Sequence, residues 1–178
     1  MRKKPVNIIF FIILILIQLF LMINITHGAE KEILNEQFES VTALRNWNVN
    51  GAEVKIVAKK DGNGYCVKIH KESRNGFTYI SKDFRNVKGN LRFEAQIQSQ
   101  NIVRGDKNWD RGKFQAVVTV DGKDVSWPAD DFHEDSGFIK RQFRIFDLTG
   151  QEKVTLRIGL QNARGTIWVY DIRGFLED

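Results

Sequence analysis

The chain has 178 residues, 27 basic against 22 acidic, a formal net charge of +5 and a single cysteine. Residues 1–28 hold three of the basic residues and no acid, which leaves 24 against 22, a net +2, too little charge for a nucleic-acid-binding surface. One cysteine excludes an internal disulfide, so the fold must be held by packing or by a metal.

In chain order, Arg2, Lys3 and Lys4 precede an apolar run over 8–25 that contains Gln18 and Asn24 but no charge, followed by Thr26, Gly28 and Ala29. This layout predicts an export signal over 1–28 with a small-residue exit. The run is also long enough to span a bilayer, so an uncleaved signal anchor with its basic head in the cytoplasm fits the same residues. Both readings put the remainder, 30–178, in an extracytoplasmic or secreted location, with membrane contact only through residues 8–25. No cysteine follows the run, so the sequence offers no lipid-attachment site.

After residue 30 the pattern changes. Turn signals recur at Asn50-Gly51, Asp61-Gly62-Asn63-Gly64, Asn75-Gly76, Lys88-Gly89-Asn90, Asp121-Gly122, Gly150 and Arg164-Gly165. Between them lie short segments of period-two alternation over 52–58, 64–71, 77–82, 90–98, 113–121, 138–146 and 153–161, the signature of half-buried strands. In 90–98, Leu91, Phe93, Ala95 and Ile97 oppose Arg92, Glu94, Gln96 and Gln98. In 153–161, Val154, Leu156, Ile158 and Leu160 oppose Thr155, Arg157, Gly159 and Gln161. No segment shows a 3.6-residue period. The expectation is one all-β domain, an antiparallel sandwich, with a tight hairpin at Asp121-Gly122. Cys66, inside the strand pattern of 65–69, reads as a buried inert thiol. Two polar segments, 101–112 and 126–137, are too long for tight hairpins, and long loops on a rigid sandwich carry function.

The residues from Leu34 to Phe175 resemble carbohydrate-binding modules of the galactose-binding-like jelly-roll type. Leu34-Asn35-Glu36-Gln37-Phe38-Glu39 is similar to their opening strand, with Trp47 a short step later. Asp61 to Ile69 is similar to the turn and strand that follow, Val87 to Ala95 to a central strand, and Gly165-Thr166-Ile167-Trp168-Val169-Tyr170-Asp171-Ile172 to the closing strand. The resemblance implies a jelly-roll β-sandwich that binds polysaccharide or cell-surface glycan without catalysis. It also implies a structural calcium ion held by Glu39 and Asp171, with Asp61 and Gly64 supplying a carboxylate or carbonyls. A hard cation takes several such oxygens. The family commonly has two adjacent acids in the closing strand, and here Tyr170 stands at the first.

Sugar binding needs flat apolar surfaces for pyranose rings and planar polar groups for hydroxyls. Gln96 and Gln98 match the ligand-facing side in the family, and Tyr79 can share a face with them. Trp109, Trp127, Arg104 and His133 are loop candidates, because a large aromatic amid charged residues has little local apolar company. Arg141, with Phe143 and Arg144, could line the same groove. Trp47 and Trp168 are assigned to packing. The acids around His133, from Asp130 to Asp135, offer no second histidine nearby and no sign of a paired acid and base, so catalysis is not expected. An extracellular protein-interaction module of the cell envelope is the alternative, and a small glycan-active hydrolase the second alternative.

Overall fold

The computed structural model describes residues 30–40, 42–59 and 62–177. The expected signal or anchor therefore lies outside the described residues, as does Asp61. Apart from one short 3₁₀ turn, Ala43–Asn46, the described chain is built of strands. They are β1 (Lys31–Glu36), β2 (Asn48–Asn50), β3 (Val54–Ala58), β4 (Tyr65–Lys71), β5 (Phe77–Arg85), β6 (Lys88–Val103), β7 (Gly112–Val120), β8 (Lys123–Ser126), β9 (Ser136–Thr149), β10 (Lys153–Gln161) and β11 (Arg164–Glu177). All registered pairs are antiparallel.

The strands form two sheets. One has the order β3-β4-β11-β6-β9, with β1 also paired to β11; the other has the order β2-β5-β10-β7-β8. Period-two alternation turns one row of each strand inward. Leu91, Phe93, Ala95 and Ile97 of β6 and Ile167 and Val169 of β11 meet Ile80 of β5, Phe114 and Ala116 of β7, and Leu156, Ile158 and Leu160 of β10 in one core. Aromatic rings bridge the sheets. Phe93 of β6 lies 5.2 Å from Phe84 of β5, and Phe143 of β9 lies 4.8 Å from Phe114 of β7, edge to face. Such pairs prefer tilted geometry over a face-to-face stack.

Local chemistry fixes the joints. Asp121 and Gly122 both take positive φ, 49° and 77°, between Val120 and Lys123, which are paired across the hairpin. That is the two-residue turn whose twist matches antiparallel strands. Trp47 is buried, packs 6.0 Å from the Phe38 ring and donates Nε1–H to Glu36 at 3.3 Å. Cys66 is buried. Trp168 departs from the packing assignment: it is half-buried on the outer row of β11, in register with Gln98 and Lys68.

Candidate functional site

The outer face of the five-stranded sheet carries a groove of about 880 Å³. Its floor comes from three neighbouring strands: Phe77 of β5, Arg157 and Gln161 of β10, and Lys113 and Gln115 of β7. The registers set Phe77 opposite Gln161, Arg157 opposite Gln115, and Gly159 between Tyr79 and Lys113. Gly159 is required there. A Cβ would come within 2.1 Å of the Thr78 carbonyl oxygen and 2.6 Å of the Tyr79 Cβ. Tyr79 itself packs against Phe77 at 4.6 Å and lies under the Arg157 guanidinium, 5.5 Å from ring to carbon.

Two loops raise the walls, each carrying an exposed tryptophan. Trp109 is 53% exposed and Trp127 58%. Trp127 owes its position to backbone pairing beside β7. Ala116 N–H donates to the Pro128 carbonyl, Asp130 N–H to Phe114, and Gly112 and Phe132 exchange both bonds, at 2.9–3.0 Å. The resulting extended segment alternates. Trp127, Ala129 and Asp131 face the groove, while Phe132 turns into the core. Asp131 accepts from the buried Lys113 ammonium at 2.6 Å.

Trp109 is presented by its buried neighbour Asp110. The Asp110 carboxylate accepts from the Asn162 side-chain amide at 3.0 Å and from the Lys107 N–H at 3.0 Å. The Asn162 hydrogen bond leads in holding the Asp110 carboxyl below its ordinary range; burial opposes it, and the Lys107 N–H assists. Asn162 also donates its N–H to the Gly76 carbonyl and accepts the Gly76 N–H. One side chain thus joins the loops before β5, before β7 and before β11. The Lys107 ammonium sits 5.3 Å above the Trp109 ring.

Chemically, the groove offers two indoles and a phenyl ring for stacking, with amides, a guanidinium and one carboxylate for hydroxyls. Another depression of about 620 Å³ near the end of β1 is lined by Asn35, Glu36, Gln37, Glu39, Ser40 and Arg45 among others, and no aromatic ring lines it. The aromatic groove is the better candidate for sugar faces.

No protein-family model matches the chain, and no curated protein matches it by sequence. Solved structures do match by shape. The CBM22-1 xylan-binding domain from Paenibacillus barcinonensis aligns with a TM-score of 0.58 and 12% identity over 85% of this chain and 98% of that domain. The tandem CBM22-1-CBM22-2 domain from the same organism gives 0.60 and 11% over 86% of this chain and 48% of that one. TmCBM61 in complex with β-1,4-galactotriose gives 0.54 and 16% over 83% and 99%. The fold is the galactose-binding-like jelly roll.

On this jelly roll the sequence-derived candidates divide. Trp109 and Trp127 line one groove, and Tyr79 flanks its floor. Gln96 and Gln98 lie on the outer row of β6 in the other sheet, beside Tyr170, Lys140 and Trp168, so Tyr79 does not share a face with them. Arg141 shares the inward row with Phe143; its guanidinium pairs with Asp130 at 2.9 Å and stacks 4.4 Å from Phe132. Arg104 and His133 are exposed and outside the groove lining. Sequence reasoning overlooked Phe77, Lys113, Gln115, Asp131 and Arg157, which line the groove. The outer row of β10 was visible in the alternation, but not which sheet would carry it.

The expected calcium residues gather only in part. Glu36 of β1 pairs with Ile172 and Val67 of β4 with Val169, so the end of β1 and the turn before β4 approach the same part of β11. Asp171 sits there at φ 52°, within the bulge between Tyr170 and Arg173, and accepts from Arg173 Nε at 2.9 Å. Glu36, rather than Glu39, makes the local bonds, to Phe38 N–H and Trp47 Nε1–H. The Gly64 carbonyl accepts from Lys59 N–H. Among the described residues no group of three or more His, Cys, Asp or Glu side chains is placed to hold a metal. The fit therefore turns on Asp61.

Proposed function

We propose that this jelly roll is a non-catalytic glycan-binding module that works outside the cytoplasm, seating a polysaccharide or cell-surface glycan between Trp109 and Trp127. The observation that carries the reading is the pair of exposed indoles on opposite loops above a floor of planar polar side chains. The carbohydrate-binding modules that share the fold support it, one a xylan-binding domain and one in complex with β-1,4-galactotriose. The groove lining includes one carboxylate, Asp131, tied to Lys113, whereas glycoside hydrolysis uses a pair of carboxylates flanking the bond. That favours binding over cleavage.

Affinity electrophoresis and calorimetry against a panel of plant, bacterial and host glycans test the proposal. Trp109→Ala and Trp127→Ala should each weaken binding about thirtyfold, the equivalent of roughly 2 kcal/mol for a central aromatic contact. Unchanged affinity in both variants would remove the groove from the account.

A second reading, contact with another envelope protein, is favoured by β9. It is an edge strand and leaves Phe138, Ile139 and Phe146 exposed. Capture of a protein partner that Phe146→Asp abolishes, with no glycan retained, would choose that reading.

Calcium at the β1–β11 end is a separate proposal, resting on Asp171, Glu39, Asp61 and Gly64. Arg173 competes for Asp171. Added calcium should raise Tm in the native chain and not in Asp171→Asn; a Tm indifferent to calcium and chelator would eliminate the ion.

A further inference from the structure

We infer that the groove selects an acidic glycan, one that carries a carboxylate or sulfate beside a sugar face, with Arg157 as the residue that takes the oxyanion. The inference rests on the groove being a glycan site and goes beyond it by naming the ligand's charge.

Arg157 projects from the middle of β10 onto the groove floor and is half-buried. Among the described residues its guanidinium has no carboxylate partner, and its Nε is buried without a hydrogen bond. Arg92, which is buried, and Arg141, which is half-buried with its Nε also unbonded, both pair with carboxylates. Arg45, Arg74, Arg85, Arg104 and Arg164 also lack such a partner, but they are exposed, and water serves them; Arg111, half-buried with its Nε likewise unbonded, donates instead to the Asn108 carbonyl and lies outside the groove lining. A guanidinium partly withdrawn from water is costly unless an anion meets it.

The surroundings supply no such anion. Asp131, the one acid in the lining, accepts from Lys113 through Oδ2 while its Oδ1 is buried without a hydrogen bond, and no ion pair joins it to Arg157; the Lys113–Asp131 pair is neutral, and the groove keeps the charge of Arg157. Lys107, above the Trp109 ring, adds a second positive charge at the rim. The Tyr79 ring beneath Arg157 limits its tilt. A planar fork fixed in this way suits two-point bonding to a carboxylate or sulfate. Trp109 and Trp127 would meanwhile take the faces of the ring that carries the anion, or of its neighbours.

The experiment compares each acidic oligosaccharide with a neutral copy of itself. Oligogalacturonate is titrated beside its carboxyl-reduced form, and a carrageenan oligosaccharide beside its desulfated form, at low and at moderate salt. The expected result is that at least one acidic form binds on the order of tenfold tighter than its neutral copy, with the advantage shrinking as salt rises. Which pair shows the advantage separates carboxylate from sulfate. Arg157→Gln should erase the advantage and Arg157→Lys should keep part of it, both with the native melting profile. Equal binding of acidic and neutral forms, lost in Trp109→Ala but unmoved by Arg157→Gln, would overturn the acidic preference and leave the glycan groove standing. Absence of binding by all four sugars and by the neutral panel would overturn both.

Discussion

Asn162 shows how much of the groove depends on a single amide. It sits at φ 42°, bonds Gly76 in both directions and anchors Asp110, the residue that holds Trp109 out. Asn162→Gly keeps the left-handed backbone while deleting the amide. It should cost about 1–3 kcal/mol in urea unfolding, because the buried Asp110 carboxylate loses the Asn162 amide. Glycan affinity should fall with it, although Asn162 carries no ring to stack on a sugar. Trp109 and Trp127 were themselves legible in the sequence, since a large aromatic among lysines and aspartates has no local reason to be buried. Asn162 was not. Its role comes from joining three loops that lie far apart in the chain.

At the level of strands, alternation was a reliable guide to which side of a strand faces the core. The expected segment 153–161 is β10 residue for residue, and the others shift by a few residues at their ends. β2 was missed because it is three residues long and wholly exposed, so it has no inward row to read. What alternation cannot supply is adjacency. Gln96 and Arg157 both stand on outer rows, yet they belong to different sheets, and only the pairing order decides which outer row meets the tryptophan loops. That ordering is a product of long-range pairing, invisible in a local period. Gly159 marks the sheet that carries the groove, as a strand glycine often marks a close approach. Gly159→Ala should destabilise the domain by about 1–3 kcal/mol through overpacking against the Thr78 carbonyl and Tyr79. It should also weaken glycan binding by displacing Tyr79 and with it Arg157; thermal melts and calorimetry on the same variant read both effects.

Across the whole molecule, the six-stranded sheet carries an ion network on its outer face. Arg92 pairs with Glu30, Glu94 and Glu177, and Glu177 also accepts from Arg144. Burial pushes the Glu177 carboxyl up, but hydrogen bonds from Arg92 and Arg144 outweigh it and leave the group below its ordinary range. Asp110 is held low as well, by Asn162 first. A carboxyl lowered by folding contributes stability that is present above its unfolded value and is lost as pH falls through the folded one. The domain should therefore hold its Tm down to about pH 4 and lose it progressively below. Glu177→Gln should lower the neutral-pH Tm and flatten that acid limb; a limb of unchanged steepness would show that other groups govern it.

The closing strand gives the molecule a mechanical character. β6 follows one edge of β11 from Arg164 to Glu177, while β4 and β1 divide the other edge at the bulge around Asp171. Because β1 runs antiparallel to β11, Lys31 lies beside Leu176, and both described ends leave from one corner. A pull that separated those ends would break the β1–β11 rungs one after another, as a zip opens, rather than shear them all together. Held by either end alone, the sandwich would hang from that corner with its rungs unloaded.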